Sequence, residues 1–292
     1  MTGVAPSAIP LAELVDTGSF PLHDPGSLRY LEVVDNAQAQ LEATGCALLK
    51  DFILPDALPR LAAEVAANNA KAHVPAQPMN PYLHTESDPE RPDDHPVNTF
   101  LERTGGTIPG DAWIADGPTD SLYRAPELTR FLAHCLQRPV LHRYADPLAG
   151  LTATVLDPGQ QLAWHFDPND VAVTLLIQQA DDGGRFEYSP DIRSADDEGF
   201  DEVAQVLAGD RQRVVSLDLQ PGDLQIFRGR HSLHRVTPVH DDAGPRHAVV
   251  MAYTDDPDVI GPPDRTRRLF GRVLPAHEAA EGHQGGADKG QN

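Results

Sequence analysis

Cysteine is scarce in this sequence: of 292 residues only Cys46 and Cys135 carry thiols. They lie far apart in apolar surroundings, which excludes a disulfide framework and fits the reduced thiols of a cytoplasmic protein. Long apolar runs are missing too. The densest, at 151–156, 171–177 and 248–253, have the length of strands and fall well short of the ~18 residues that a membrane span needs. Positive charge is also in short supply, with 23 Lys and Arg against 44 Asp and Glu and a net charge of −21. Such a surface repels polyanions, so nucleic acid and anionic membranes are excluded as partners, and the charge itself reads as a solubility device. The opening "MTGVAPSAIPLAELVD" has neither the basic stretch nor the apolar core of a secretory signal.

What is present divides into two regions. Residues 1–27, rich in Pro, Gly and Ser, read as an N-terminal arm. Apolar residues at helical spacing follow from Tyr30 to Ala43, then a break at Thr44-Gly45 and a strand in "CALLKDFIL". A second helix is expected in "PDALPRLAAEVAANNAKA", capped by Asp56, and a third in "APELTRFLAHCLQ". Between them, residues 75–122 carry many Pro, Asp and His without periodicity, the pattern of a functional lid rather than a plain connection. After Asp146 the pattern becomes eight short strands, at 150–157, 162–166, 171–179, 185–188, 213–218, 224–228, 234–239 and 246–254, separated by turn signals such as Asp182-Gly183-Gly184 and Pro221-Gly222-Asp223. The acidic stretch at 194–210 adds one helix. The expected fold is therefore mainly β with flanking helices (α+β), a double-stranded β-helix or jelly roll of the cupin kind, spanning residues 28–275 as one domain. The Gly-rich, polar tail 276–292 is expected to be disordered.

The chemistry gathers in "WHFDPNDVAVTLL", residues 164–176. On extended backbone residues two apart point the same way, so His165 and Asp167 can present an imidazole and a carboxylate to one point. On its own such a pair is more often the polar end of a strand than a metal site. In "PGDLQIFRGRHSLHRVTPV" a second strand brings His231 and His234 forward as a third ligand, and His234 is preferred because it shares a strand face with Val236. Two histidines and one carboxylate leave three adjacent positions open on an octahedral iron. Arg246, twelve residues on, supplies the planar fork that binds a carboxylate bidentately, although a surface salt bridge is its bland alternative. Other groups read more simply: His84 and His95 as solvated loop residues, His240 and His247 as surface or strand positions, and Glu187 as a paired strand carboxylate.

The ordered set His165-x-Asp167, then His234-Arg235-Val236-x-Pro238 with Arg246, resembles the Fe(II)/2-oxoglutarate-dependent dioxygenases over roughly residues 149–255. More narrowly, "GGRFEYSPDIR" with "PGDLQIFRGRHSLHRVTP" resembles the subgroup containing radical halogenases of free lysine and their hydroxylating relatives. The resemblance implies Fe(II) as the metal, held by His165, Asp167 and His234, with 2-oxoglutarate and O2 as cosubstrates and Arg246 holding the far carboxylate of 2-oxoglutarate. It also implies a small-molecule substrate, a free amino acid or derivative, with Arg103 near the place where the lysine halogenases bind a substrate carboxylate. Asp170 is a candidate for the substrate amine, with a simple turn at Asn169-Asp170 as its alternative, and Trp164 is a candidate pocket wall. Those halogenases carry glycine or alanine where Asp167 stands, and chloride takes the vacated iron position, so Asp167 makes hydroxylation the expectation and halogenation disfavoured. A peptide or protein hydroxylase on the same fold, and a metal-binding jelly roll without catalysis, are the competing readings.

Overall fold

A strand from Leu151 to Leu156 reads Leu-Thr-Ala-Thr-Val-Leu, and its period of two sorts the residues by face. Leu151, Ala153 and Val155 join one apolar cluster, and Leu156 joins another on the opposite side. The same sorting along every long strand gives a sandwich of two sheets. The computed structural model describes residues 8–169 and 171–284.

In chain order the elements are α1 (Leu28–Thr44), β1 (Cys46–Leu49), α2 (Leu58–Asn68), β2 (Gly106–Ile108), α3 (Pro118–Arg124), α4 (Pro126–Cys135) and β3 (His142–Arg143). Then come β4 (Leu151–Leu156), β5 (Leu162–His165), β6 (Val171–Gln178), β7 (Phe186–Ser189), α5 (Phe200–Leu207), β8 (Val215–Leu217) and β9 (Leu224–Phe227). The chain closes with β10 (Leu233–Val236), β11 (Arg246–Thr254), α6 (Pro263–Phe270) and α7 (Pro275–Gln284). The large sheet runs β1-β9-β6-β11-β4-β2 with β3 beside β11, and the small sheet runs β5-β10-β7-β8. Every named strand pair is antiparallel. This is the jelly roll expected, and all eight strands fall where the turn signals put them.

Three layers of apolar side chains result. Val173, Leu175, Ile226, Val249 and Met251 face outward from the large sheet and are covered by α1 to α4. Leu176, Phe227 and Ala248 face inward and meet Phe186, Tyr188 and Val236 of the small sheet. Trp164, Phe166 and Leu233 lie on the outside of the small sheet under Val203 and Val206 of α5. The metal-binding candidates belong to the middle layer.

Local sequence explains the element ends. Ser27 caps α1 by accepting from the Tyr30 amide at 3.2 Å, and Gly45, at φ 69°, lets the chain leave the helix in a conformation that a side chain would strain. Asp56 is not the cap of α2, a correction to the sequence reading. That helix starts at Leu58 behind Ala57, with Pro59 in its first turn presetting the backbone. The arm is packed rather than loose over residues 8–27, with Leu14 and Leu22 fully buried. Residues 75–122 contain β2, most of α3 and several tight turns, and the Met79–Leu101 bridge folds their first part into a hairpin. That hairpin docks on α5 through His95, whose ring lies 4.5 Å from Phe200.

Part of the tail also departs from expectation: residues 276–284 belong to α7 instead of being disordered, while residues 285–292 lie outside the described residues. The cause is His277, which is fully buried and sits 3.2 Å from Asp146. Asp146 in turn accepts from the amides of Leu148, Ala149 and Gly261 at 2.8–2.9 Å. Replacing Asp146 by Ala orphans three buried amides and the imidazole, which should cost about 3–5 kcal/mol. Urea unfolding followed by circular dichroism tests this. A midpoint within experimental error of the parent would mean that the pair does not hold the C-terminal helix.

Candidate metal centre

β5 and β10 are hydrogen-bonded neighbours in which His165 and His234 are direct cross-strand partners. Opposed residues project to the same face, so the register alone brings the two rings together, 4.2 Å between centroids. Each ring is then oriented through Nδ1: His165 points it at the Ala163 carbonyl (2.8 Å) and His234 at the Ser232 carbonyl (2.9 Å). Those carbonyls accept, so Nδ1 carries the proton and Nε2 keeps its lone pair for a metal. Burial, the neighbouring His234 and the Arg103 guanidinium hold the His165 pKa well below the ordinary imidazole value, which keeps the ring neutral. Phe227 and Phe186 pack on His234 with centroids 4.9 and 5.7 Å away and fix its plane.

Asp167 completes the group. Its Oδ1 lies 3.8 Å from His165 Nε2 and 3.4 Å from His234 Nε2, and the three donor atoms all fall within 4.8 Å of one another. No other cluster of this kind occurs among the described residues. His231 stays outside it, so the preference for His234 over its neighbour agrees with the geometry. The Asp167 amide donates to the Gly229 carbonyl at 3.0 Å, which ties the loop after β5 to the loop before β10. A Cβ on Gly229 would stand 1.8 Å from Asp167 Oδ2 and 2.9 Å from its Cβ. The absent side chain is what gives the carboxylate its place, a signal that sequence reasoning missed.

Two guanidiniums complete the electrostatics. Arg246 is 2% exposed, and burial alone pushes its pKa down to about 10. Among the described residues it makes no salt bridge, and its Nε has no hydrogen-bond partner. A buried cation left unpaired costs several kcal/mol, so this one is built to receive an anion. Arg103 also has a pKa lowered to about 10 by burial, opposed by the Asp167 carboxylate nearby. It too makes no hydrogen bond or salt bridge among the described residues.

The remaining sequence candidates divide. Trp164 precedes His165 and so faces the opposite side of β5, in the outer layer, where Arg235 (4.7 Å) and Arg211 (5.9 Å) stack on it. It does not wall the metal pocket, because adjacent strand residues cannot share a face. Glu187 pairs with those same two arginines on that outer face. Asp170 lies outside the described residues. The hairpin at 79–101 reaches the centre through its backbone, since the Phe166 amide, between the two ligand positions, donates to the Pro81 carbonyl at 2.8 Å.

Residues 107–265, more than half of the chain, match the family model of halogenase D (HalD). The chain belongs to the halogenase D family. Solved structures share its fold at low identity. AviO1 from Streptomyces viridochromogenes Tue57 is 16% identical, with 80% of this chain and 98% of that one covered and a TM-score of 0.51. The non-heme alpha ketoglutarate dependent carbocyclase SnoK from nogalamycin biosynthesis is 13% identical, covers 76% and 85%, and gives 0.51. The epimerase SnoN of the same biosynthesis is 12% identical, covers 77% and 83%, and gives 0.50. No curated protein matches the chain. With its His-Asp-His group, this HalD-family protein has the donor set that Fe(II) takes in a non-haem Fe(II)/2-oxoglutarate-dependent oxygenase.

The site fits that metal on its own chemistry: two imidazoles, each with Nδ1 turned to a backbone carbonyl, converge with one carboxylate, and a buried guanidinium without a salt bridge among the described residues stands nearby. Substituting Gly229→Ala should displace the Asp167 carboxylate and weaken cobalt(II) or iron(II) binding about tenfold or more. Metal titration followed by absorption, on protein with unchanged circular dichroism, reads this directly. Unaltered affinity would show that residue 229 does not position Asp167.

Proposed function

We propose that this HalD-family oxygenase hydroxylates an unactivated C–H bond of a small anionic substrate, a free amino acid or close derivative. The observation that carries the reading is Asp167, whose carboxylate stands beside both Nε2 atoms where the lysine halogenases of the resembling subgroup have no side-chain oxygen to offer. A carboxylate there fills the position that a halide needs. Bound iron, with 2-oxoglutarate and O2, supplies the oxidant: one oxygen atom ends in the product alcohol and the other in succinate, with carbon dioxide released.

The chain's own residues divide the remaining tasks. Arg246 holds the far carboxylate of 2-oxoglutarate, supported by its burial and its lack of any other anion. Arg103, close enough to Asp167 and His165 for each to feel its charge, takes a carboxylate of the substrate. Phe186 and Phe227 hold the His234 ring in an apolar wall, which keeps water from the reacting face. A non-catalytic metal module is disfavoured, since it gives an unpaired buried arginine nothing to bind.

Free amino acids and their acylated and phosphorylated derivatives, offered to anaerobically iron-loaded protein, should include at least one that stimulates succinate release. Its product should gain one oxygen by mass spectrometry. Product in which chlorine has replaced hydrogen, formed by the unaltered protein in chloride buffer, would reverse the assignment, and no 2-oxoglutarate turnover at all would remove it.

The two arginines separate in kinetics. Arg246→Gln should raise the 2-oxoglutarate KM at least about tenfold, some 1.4 kcal/mol, whereas Arg103→Gln should raise the KM of the organic substrate and spare the slow substrate-free turnover of 2-oxoglutarate. Equal effects of both variants on both constants would refute this division.

A further inference from the structure

The end of β11 remote from Arg246 carries a second concentration of positive charge. Tyr253 and Thr254 pair there with Arg143 and His142 of β3. Seven residues of extended strand separate Tyr253 from Arg246, about 23 Å, so this region is distinct from the metal centre. A cleft of about 710 Å³ opens between β3 and α4, lined by Arg124, Arg130, Arg143, His134 and His142. Asp258 is the single carboxylate among its lining residues. Across the whole chain acidic residues outnumber basic ones 44 to 23, and here the ratio is inverted. Three arginines around one concavity repel each other, and the nearby carboxylates of Asp258 and Asp120 offset only part of that charge.

The arginines are largely uncommitted. Arg143 makes no salt bridge or hydrogen bond among the described residues and lies over the Tyr123 ring at 5.5 Å. Arg130 donates from Nη2 to the Leu22 carbonyl at 2.9 Å and also engages the Tyr30 side chain, which together orient the guanidinium at the cleft. The carboxylate nearest Arg124, that of Asp120, is 4.0 Å away. His134 is held through Nδ1 by the Tyr30 hydroxyl at 2.7 Å, so its ring is fixed while Nε2 stays available. The cleft also has an apolar side: Leu141 and Tyr144 are buried in its floor, and Val140 is 53% exposed at its rim.

We propose that this cleft binds a small, multiply charged organic anion of nucleotide size, its anionic groups on Arg124, Arg130 and Arg143 and its less polar body against Val140 and Leu141. The volume lies within the ~300–1,000 Å³ range of small-molecule sites. Three forks at one mouth suit closely spaced negative charges, which phosphate esters and polycarboxylates both provide. The ligand chemistry differs from that at Arg246, where one buried guanidinium meets one carboxylate.

The test is calorimetric titration of the full chain, iron-loaded and saturated with 2-oxoglutarate so that the metal centre is filled, with ATP, citrate and inorganic phosphate in parallel. Saturable one-site binding of ATP or citrate is expected, weakened about tenfold or more by Arg143→Gln and reduced by added salt. Raising 2-oxoglutarate further, once the metal centre is filled, should leave that binding unchanged. Preference for ATP over citrate would assign phosphate esters, and the reverse would assign polycarboxylates. Arg143 bonds no backbone group, so its replacement spares the fold, and circular dichroism of the variant verifies this. Arg130→Gln gives a second reading wherever its loss of the Leu22 bond is tolerated. The proposal is overturned if none of the three anions binds saturably at millimolar concentration. It is equally overturned if binding survives Arg143→Gln undiminished or is competed away by raising 2-oxoglutarate.

Discussion

The register of β5 against β10 is the constraint on which the metal centre depends. Because His165 and His234 are opposed across that pair, both rings enter the space between the sheets. A slip of one residue would turn His234 outward and carry Leu233 and Arg235 into the pocket. The outer layer guards against that slip. Leu233 packs beneath α5, and Arg235 is held between the Trp164 ring and the Glu187 carboxylate. Trp164 thus serves the site without touching it, by pinning the face that the histidines must not occupy.

Electrostatics then decide what the centre accepts. In a chain with 21 excess negative charges, Arg246 makes no salt bridge with any carboxylate among the described residues and is almost wholly out of water. Keeping a guanidinium in that condition costs stability, and the cost is recovered only when an anion arrives. The same logic, less severe because the group is more exposed, applies to Arg103 beside Asp167. Both cations belong to a centre whose imidazoles turn their Nδ1 atoms to backbone carbonyls, so the arginines are the fixed positive charges that the protein offers to anionic ligands there.

Much of this was legible beforehand because it rests on period-two patterns and short motifs. The strands of the jelly roll follow from alternation and turn residues, and the His-x-Asp spacing follows from the pleat. What stayed hidden depends on groups that meet only after folding. Gly229 looks like any loop glycine until the Asp167 side chain is seen to occupy the space a Cβ would take. His277 sits in a Gly-rich polar tail, and only its burial against Asp146 shows why that tail begins as a helix. Asp56 has the right side chain for a cap and the wrong position, since the helix starts at Leu58 behind Ala57 and Pro59, three residues beyond Asp56, presets its first turn. Trp164 adjoins His165 in sequence, yet the alternation along β5 sends it to the opposite face, into the outer apolar layer.

Membership of a halogenase family and a hydroxylating reading are compatible for a structural reason. The loop bearing Asp167 is fastened by backbone atoms, the residue 167 amide on the Gly229 carbonyl and the Phe166 amide on the Pro81 carbonyl, and neither bond involves the carboxylate. The scaffold therefore does not require an acid at this position in order to hold its shape. Whether the carboxylate is present can vary while both histidines, their carbonyl partners and the two unpaired arginines stay where they are. On the proposed hydroxylase reading, the identity of the atom delivered to the substrate rests on one side chain, the Asp167 carboxylate beside both Nε2 atoms.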